Sequence, residues 1–149
     1  MRFRFRLEKL LDARRIQQEI AQKVFVEARH ILDLEEQKLQ QLYANEKESY
    51  ERLAQAQIQG GAQTSVMQNI FVYQNGLKIN IQKVKKQIQG LQSVVEEKRE
   101  ILRARMIEYK MIVKLKEKKY QQFLQEARMA EQKDIDEVSV LRYAHKDVE

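Results

Sequence analysis

The chain has 149 residues, of which 34% are charged, a formal net charge of +6, and no proline, cysteine or tryptophan. This composition is typical of long uninterrupted helices, because proline removes a backbone donor and breaks a helix. The lack of cysteine excludes a disulfide framework and a thiolate metal site. No long uncharged stretch is present and the start has no apolar secretory core, so we expect a soluble protein.

Apolar residues at seven-residue intervals predict the first helix, which we expect to run from about residue 4 to residue 58. The series comprises Leu11, Gln18, Phe25, Leu32, Leu39, Glu46 and Leu53, with Ala21, Ala28, Leu42 and Ala56 as companions. This is the heptad pattern of a coiled coil. A wider buried face is expected at the start of the helix, where further apolar residues are Leu7, Leu10, Ile16, Ile20 and Val24.

The adjacent glycines Gly60 and Gly61 predict a turn at about residues 59–64, because glycine tolerates the positive φ needed to leave a helix. A second helix is expected from about residue 65 to residue 140, with apolar residues spaced by three and four. They are Val66, Ile70, Tyr73, Leu77, Ile81, Val84, Ile88, Leu91 and Val95. The expected fold is all-α, with two long helices forming an antiparallel coiled-coil hairpin in a single domain, residues 1–149, and with the second helix longer.

An unpartnered end of the second helix follows from this hairpin. If the chain reverses near Gly61, residue 4 lies near residue 118, and the helix beyond Tyr120 has no partner within the chain. Apolar residues continue there, at Phe123, Leu124, Ala127, Ile135, Val138, Val140 and Leu141. Such a face predicts contact with another protein.

The sequence carries no pattern of a chemical site. The two histidines, His30 and His145, lie far apart and neither belongs to a metal-ligand pair. Adjacent carboxylates such as Glu35 and Glu36 are typical of solvated helix faces. We find no glycine-rich phosphate loop or serine elbow, so we expect no catalytic residues, no metal, no cofactor and no enzymatic activity.

The start of the chain interleaves Arg2, Arg4 and Arg6 with Phe3 and Phe5. Basic residues at a helix start are slightly unfavourable to the helix dipole, which indicates that an external partner binds them. Because the phenylalanines add hydrophobic anchors, we favour an acidic protein surface over nucleic acid or anionic lipid. No nucleic-acid partner is expected.

Two terminal segments resemble a known family. Residues 3–14 read FRFRLEKLLDAR, and residues 131–137 read EQKDIDE. Both resemble the ends of FliJ, the small coiled-coil component of the bacterial flagellar type III export apparatus. The resemblance covers nearly the whole chain and implies a monomeric hairpin that acts as the stalk of a hexameric flagellar export ATPase. It also implies contacts with the membrane protein of the export gate and with export chaperones, and a cytoplasmic location at the inner membrane beneath the flagellum.

The resemblance also implies two sets of contact residues. Those implied for the ATPase ring are Phe3, Phe5, Leu7, Leu10, Leu11, Arg14, Asp136 and Glu137. Those implied for the export gate and the chaperones are Leu42, Tyr43, Tyr50 and Phe71. The family's Gln, Leu, Tyr, Tyr spacing on the first helix is not reproduced, since Tyr43 and Tyr50 stand seven residues apart.

Two other functions are compatible with the same residues. A general coiled-coil scaffold would self-associate through the unpartnered end of the second helix, because periodicity alone does not name the partner. A basic binder of nucleic acid or of membrane surfaces would lose affinity steeply with salt. Sedimentation distinguishes the first alternative from a monomeric stalk, and salt dependence identifies the second.

Overall fold

The computed structural model describes residues 2–59 and 64–148, which form two helices. Helix α1 is Glu8–Ile58 and helix α2 is Thr64–Val148. The predicted all-α hairpin with a longer second helix is confirmed. The turn predicted at Gly60 and Gly61 lies outside the described residues.

Contacts between residues divide the chain into two units, and each unit contains a segment of both helices. The first unit is Met1–Glu19 with Ala104–Glu149, and the second unit is Ile20–Arg103. Helix α2 runs eight residues further than expected, and α1 begins four residues later. Both interior glycines of α2, Gly76 and Gly90, lie within continuous helix, because single glycines weaken a helix by only about 1 kcal/mol.

The second unit is held together by an apolar seam, meaning the heptad positions at which the two helices face each other. The core residues of the seam are Leu32, Val84, Ile88 and Val95, and residues packed against them are Phe25, Ala28, Leu39, Leu42 and Leu91. Arg99 lies over the ring of Phe25 at 5.7 Å, and Lys85 lies over Tyr43 at 5.6 Å. From Phe25 to Tyr43 the residue numbers rise along α1, while those of their contacts on α2 fall from Arg99 to Lys85. The two segments are therefore antiparallel.

The seam of α2 differs from the sequence expectation near its start. Val66 and Tyr73 are exposed, whereas Met67 is half-buried and Gln74 is only 4% exposed. The seam residues of α2 recur at alternating steps of three and four residues. Counted back from Leu77, this alternation reaches Gln74 and not Tyr73. A polar residue therefore occupies a seam position for which an apolar neighbour had been expected.

The seam of α1 follows the predicted heptads, but the expected widening is found only at Leu7 and Leu10, which are half-buried. Every residue of the predicted series is buried or half-buried, while Ile16, Ile20 and Val24 are exposed. With one helix as its partner, a helix covers only a narrow face, and residues beside that face stay in solvent.

The first unit is also antiparallel. Lys116 forms a salt bridge with Glu8 at 2.9 Å, and Arg14 forms one with Glu108 at 3.0 Å. Leu11 is buried between these two polar contacts. This part of the seam therefore combines one buried leucine with charged pairs at its edges.

Candidate protein-binding surfaces

The residues before α1 form a segment, residues 2–7, whose side chains alternate between half-buried and exposed. The half-buried ones are Phe3, Phe5 and Leu7, and the exposed ones are Arg2, Arg4 and Arg6. Residues 2–5 have no regular secondary structure, and residues 6–7 form a turn in which the Glu8 N–H donates to the Phe5 carbonyl oxygen at 3.3 Å. The expected helix start near residue 4 is thus replaced by a non-helical segment.

An aromatic cluster fixes the beginning of this segment on α2. The ring of Phe3 lies 5.2 Å from that of Tyr120, edge-on, and 5.5 Å from that of Phe123. Tyr120 and Phe123 are themselves 6.5 Å apart in a nearly parallel arrangement. Aromatic pairs at these distances are stabilising beyond the area they bury.

The position of this cluster corrects the expectation that α2 is unpartnered beyond Tyr120. Phe123, Leu124 and Ala127 are half-buried, and the contact with Phe3 accounts for the first of them. Glu8 pairs with Lys116, and Phe3 contacts Tyr120 and Phe123, so segment 2–7 continues the antiparallel course of α1 along α2.

A basic groove of about 770 Å³ lies between segment 2–7 and α2. Its apolar lining includes Leu7, Leu115 and Phe123, and its charged lining comprises Arg2, Arg4, Arg6, Lys119 and Glu126. Four basic side chains against one acidic side chain favour an acidic ligand, and the apolar floor offers hydrophobic contact.

The ring-contact candidates on α1 take part in packing within the first unit. Leu11 is buried and Leu10 is half-buried. Arg14 donates a hydrogen bond to Glu108 at 3.0 Å, and Arg105 donates to the same carboxylate at 3.2 Å. A substitution at these positions would therefore disturb the fold as well as any contact with a partner.

The candidates near the end of α2 lie in an exposed stretch, residues 128–147, in which every residue is exposed. We call this stretch the overhang. Asp136 accepts a hydrogen bond from Gln132 at 3.0 Å, and Glu137 follows it. The exposed apolar residues of the overhang are Met129, Ile135, Val138, Val140, Leu141 and Tyr143. An exposed apolar helix of this length is typical of a protein-binding element.

The aromatic candidates in the second unit share one side of the helix pair. Tyr43 follows the seam residue Leu42, and Phe71 likewise follows the seam residue Ile70. In an antiparallel pair, the residues that directly follow a seam residue on either helix project to the same side. The contact of Lys85, which follows the seam residue Val84, with Tyr43 is an example. Leu42 itself packs against the core.

We call this side the aromatic flank, and its exposed residues are Tyr43, Tyr50 and Phe71. Tyr73, which precedes the seam residue Gln74, projects to the other side although it is equally exposed. The structure thus separates three of the four gate candidates, which form a surface, from Leu42, which supports it.

Within the described ranges, 2–59 and 64–148, no group of three or more acidic or histidine side chains is arranged to hold a metal ion. Neither helix contains, over the same residues, a stretch apolar and long enough to cross a bilayer.

Comparison with known proteins identifies relatives along almost the full length. The model of the family described as "Flagellar FliJ protein" matches residues 3–147. The Flagellar FliJ protein of Bacillus subtilis (strain 168) is 25% identical over 145 residues, which is 96% of this chain and 97% of the relative. The solved structure of a putative YscO homolog from Chlamydia trachomatis is 21% identical, with a TM-score of 0.57 over 99% of this chain and 100% of that one. This last similarity bears on the fold alone.

Proposed function

The chain belongs to the flagellar FliJ protein family, and on that premise we propose that it is a non-enzymatic stalk of the flagellar protein-export machinery. In this proposal the first unit binds the ring of a hexameric export ATPase and promotes its assembly or activity. The second unit contacts the export gate and export chaperones. The protein works as a cytoplasmic monomer recruited to the inner membrane at the flagellar base.

The proposed contact with the ring rests on one observation, which is that the basic groove and the overhang both belong to the first unit. The groove presents the exposed arginines of segment 2–7, which suit an acidic surface. The overhang presents apolar residues together with Asp136 and Glu137. Two surfaces of different chemistry suit a partner that surrounds this unit better than one that touches a single side.

Removal of the overhang tests the ring contact. Because every residue of 128–147 is exposed, a chain ending at Ala127 should keep its helical hairpin, and circular dichroism and thermal unfolding would verify this. We expect this chain to lose most of its stimulation of the ATPase encoded by the same organism. Equal stimulation by the truncated and full-length chains would refute the role of the overhang.

A pair of arginine variants tests the groove separately. Arg2→Glu with Arg4→Glu should weaken ring binding by at least about tenfold, since each reverses a charge at an exposed position. Lys110→Glu with Lys114→Glu is the matched double control, because both lysines are exposed in the same unit but lie outside the groove and the overhang. Equal losses in all variants would indicate a general charge effect and would remove the groove from the proposal.

The aromatic flank supports the contact with the gate and the chaperones. Large exposed aromatic side chains are common hot spots in protein interfaces, and Phe71 is 48% exposed. We expect Phe71→Ala to weaken binding to the gate's cytoplasmic domain or to an export chaperone by at least about tenfold. Tyr73→Ala is the matched control, because Tyr73 is 49% exposed on the other side of the pair. Equal effects of both changes would count against the aromatic flank.

Sedimentation distinguishes the stalk from a self-associating scaffold. We expect a monomer at micromolar concentration. A stable dimer that disappears when the overhang is removed would instead support the scaffold.

A further inference from the structure

A strip of exposed aliphatic side chains lies on the side of the second unit opposite the aromatic flank. We call it the aliphatic strip, and its residues are Ile20, Val24, Ile31, Leu34, Val94 and Ile101. All six are exposed even though aliphatic side chains are favoured in the interior. Contiguous exposed apolar surface on a soluble protein marks an interaction site.

The two helices contribute matching halves to this strip. Val24 precedes the seam residue Phe25, and Ile101 precedes the seam residue Leu102. The contact between Arg99 and Phe25 puts these parts of α1 and α2 side by side. Residues that precede the seam in this way project to the same side of an antiparallel pair.

The same arrangement recurs two helical turns away. Ile31 lies seven residues after Val24, and Val94 lies seven residues before Ile101. Since the segments are antiparallel, Ile31 and Val94 form the next level of the strip. From Ile20 to Leu34 the strip follows α1 for about 21 Å, or roughly four turns.

One carboxylate lies within each half of the strip. Glu27 is three residues after Val24 on α1, and Glu97 is three residues after Val94 on α2, so each lies on the face of its own aliphatic residues. Both are exposed, and within residues 2–59 and 64–148 neither forms a salt bridge. Four other acidic residues of this unit are paired, Asp33 and Glu48 on α1 and Glu96 and Glu100 on α2. Within the described residues Glu35, Glu36, Glu46 and Glu51 form no salt bridge either, so Glu27 and Glu97 are distinguished by lying on the face of the aliphatic strip.

We propose that the aliphatic strip is a docking site for an amphipathic helix of another protein, with an apolar face bordered by lysine or arginine. A helix fits because its own apolar residues recur every three or four positions and can follow a straight strip of four turns. Basic borders fit because the strip carries two unpaired carboxylates. A second copy of this chain fits poorly, because it would bring its own Glu27 and Glu97 against the same two carboxylates.

Two synthetic helical peptides of three heptads test this proposal. They share the same apolar residues, and one has lysine and the other glutamate at the bordering positions. Fluorescence anisotropy with the full chain measures the affinity of each peptide. We expect the lysine peptide to bind at least about tenfold more tightly at 0.1 M salt, and the preference to reverse when Glu27→Lys and Glu97→Lys are combined.

The aliphatic contribution is tested with matched double variants on α2. Val94→Ser with Ile101→Ser should weaken binding of the lysine peptide by at least about tenfold. Val72→Ser with Ile79→Ser is the control, because these residues are also seven apart and are more exposed, at 72% and 69%. Circular dichroism verifies that all variants stay helical.

Three results would overturn the proposal. One is equal affinity for the two peptides, and another is equal loss in both double variants. The third is a dimer in sedimentation that Val94→Ser with Ile101→Ser abolishes, since a second copy would then be the occupant. This proposal does not depend on the ring or gate contacts, so its failure would leave them unaffected.

Discussion

The ring of Phe3 packs against the ring of Phe123, with centroids 5.5 Å apart. A residue at the beginning of the chain is thereby held on α2, and the same cluster includes Tyr120. Because Glu8 pairs with Lys116, the five residues from Glu8 back to Phe3 bring the chain to Tyr120 and Phe123, which lie four and seven residues further along α2. The aromatic cluster thus holds the beginning of the described chain on α2.

Truncation of this ring should destabilise the first unit. We expect Phe3→Ala to lower the free energy of unfolding by about 1–2 kcal/mol, since it removes two aromatic contacts from a half-buried site. Urea denaturation followed by circular dichroism measures the change. Arg4→Ala, at a neighbouring exposed position, should change stability by less than about 0.5 kcal/mol. Equal effects of the two substitutions would mean that the aromatic cluster contributes nothing specific.

The buried amide of Gln74 should limit the stability of the second unit. Its Nε2 atom is buried without a hydrogen-bond partner, and an unsatisfied buried donor costs about 1–3 kcal/mol. Gln74→Leu should therefore raise the free energy of unfolding by about 1–2 kcal/mol. Gln82→Leu, at an exposed position of the same helix, serves as the control.

The same substitution should also reduce specificity. A polar residue in a seam position fixes register and oligomeric state at a cost in stability. We expect Gln74→Leu to increase the fraction of higher oligomers in sedimentation. A variant that is less stable than the original chain would show that Gln74 is satisfied in solution.

The carboxylate of Glu108, which two arginines share, should contribute little to the stability of the fold at high salt. Glu108 accepts hydrogen bonds from Arg14 and Arg105, and all three side chains are at least one-third exposed. Exposed ion pairs contribute about 0–1 kcal/mol, so Glu108→Gln should destabilise by less than about 1 kcal/mol at low salt.

Most of that difference should disappear at about 1 M sodium chloride, where the Debye length is about 3 Å. Thermal unfolding at two salt concentrations provides the measurement. Glu100→Gln is the control, since Glu100 pairs only along α2, with Arg103. A loss of stability in Glu108→Gln that is the same at both salt concentrations would contradict the description of these contacts as exposed ion pairs.

The interior glycines of α2 should be sites of easy stabilisation. A Cβ added at Gly76 or at Gly90 would meet no atom within 4 Å, so alanine adds helix propensity without a clash. Each change to alanine should raise the free energy of unfolding by about 0.5–1 kcal/mol. Destabilisation by either alanine would show a conformational requirement at that glycine. Equilibrium unfolding in urea measures both variants.

The helices could be predicted from the sequence because their signals are local. The heptad positions of α1, from Leu11 to Leu53, are all buried or half-buried as expected. In the predicted α2 series, Val66 and Tyr73 were wrong. In an isolated helix, steps of four and three residues from Val66 to Ile70 and Tyr73 fit nearly as well as the steps of three and four that lead through Ile70 to Gln74. Which residue enters the seam depends on the partner helix.

The candidate sites were predicted less completely, since exposure depends on what the other helix covers. Asp136, Tyr43 and Phe71 are exposed as a contact residue must be, whereas Leu11 and Leu42 support the fold. The aliphatic strip was missed because the sequence pattern placed Ile20 and Val24 in a wider buried face and assigned Ile31 and Leu34 to no surface. Apolar spacing alone does not distinguish a buried face from an exposed one.

By itself the sequence determined two long helices, their heptad seam and the absence of a recognisable chemical motif, because helix propensity and periodicity act over a few residues. The tertiary structure alone decided that residues 2–7 are not helical, that Phe3 contacts Phe123, and that the aromatic flank and the aliphatic strip lie on opposite sides. Those relationships join residues far apart in the chain, and only the packing of one helix on the other brings them together or leaves them exposed.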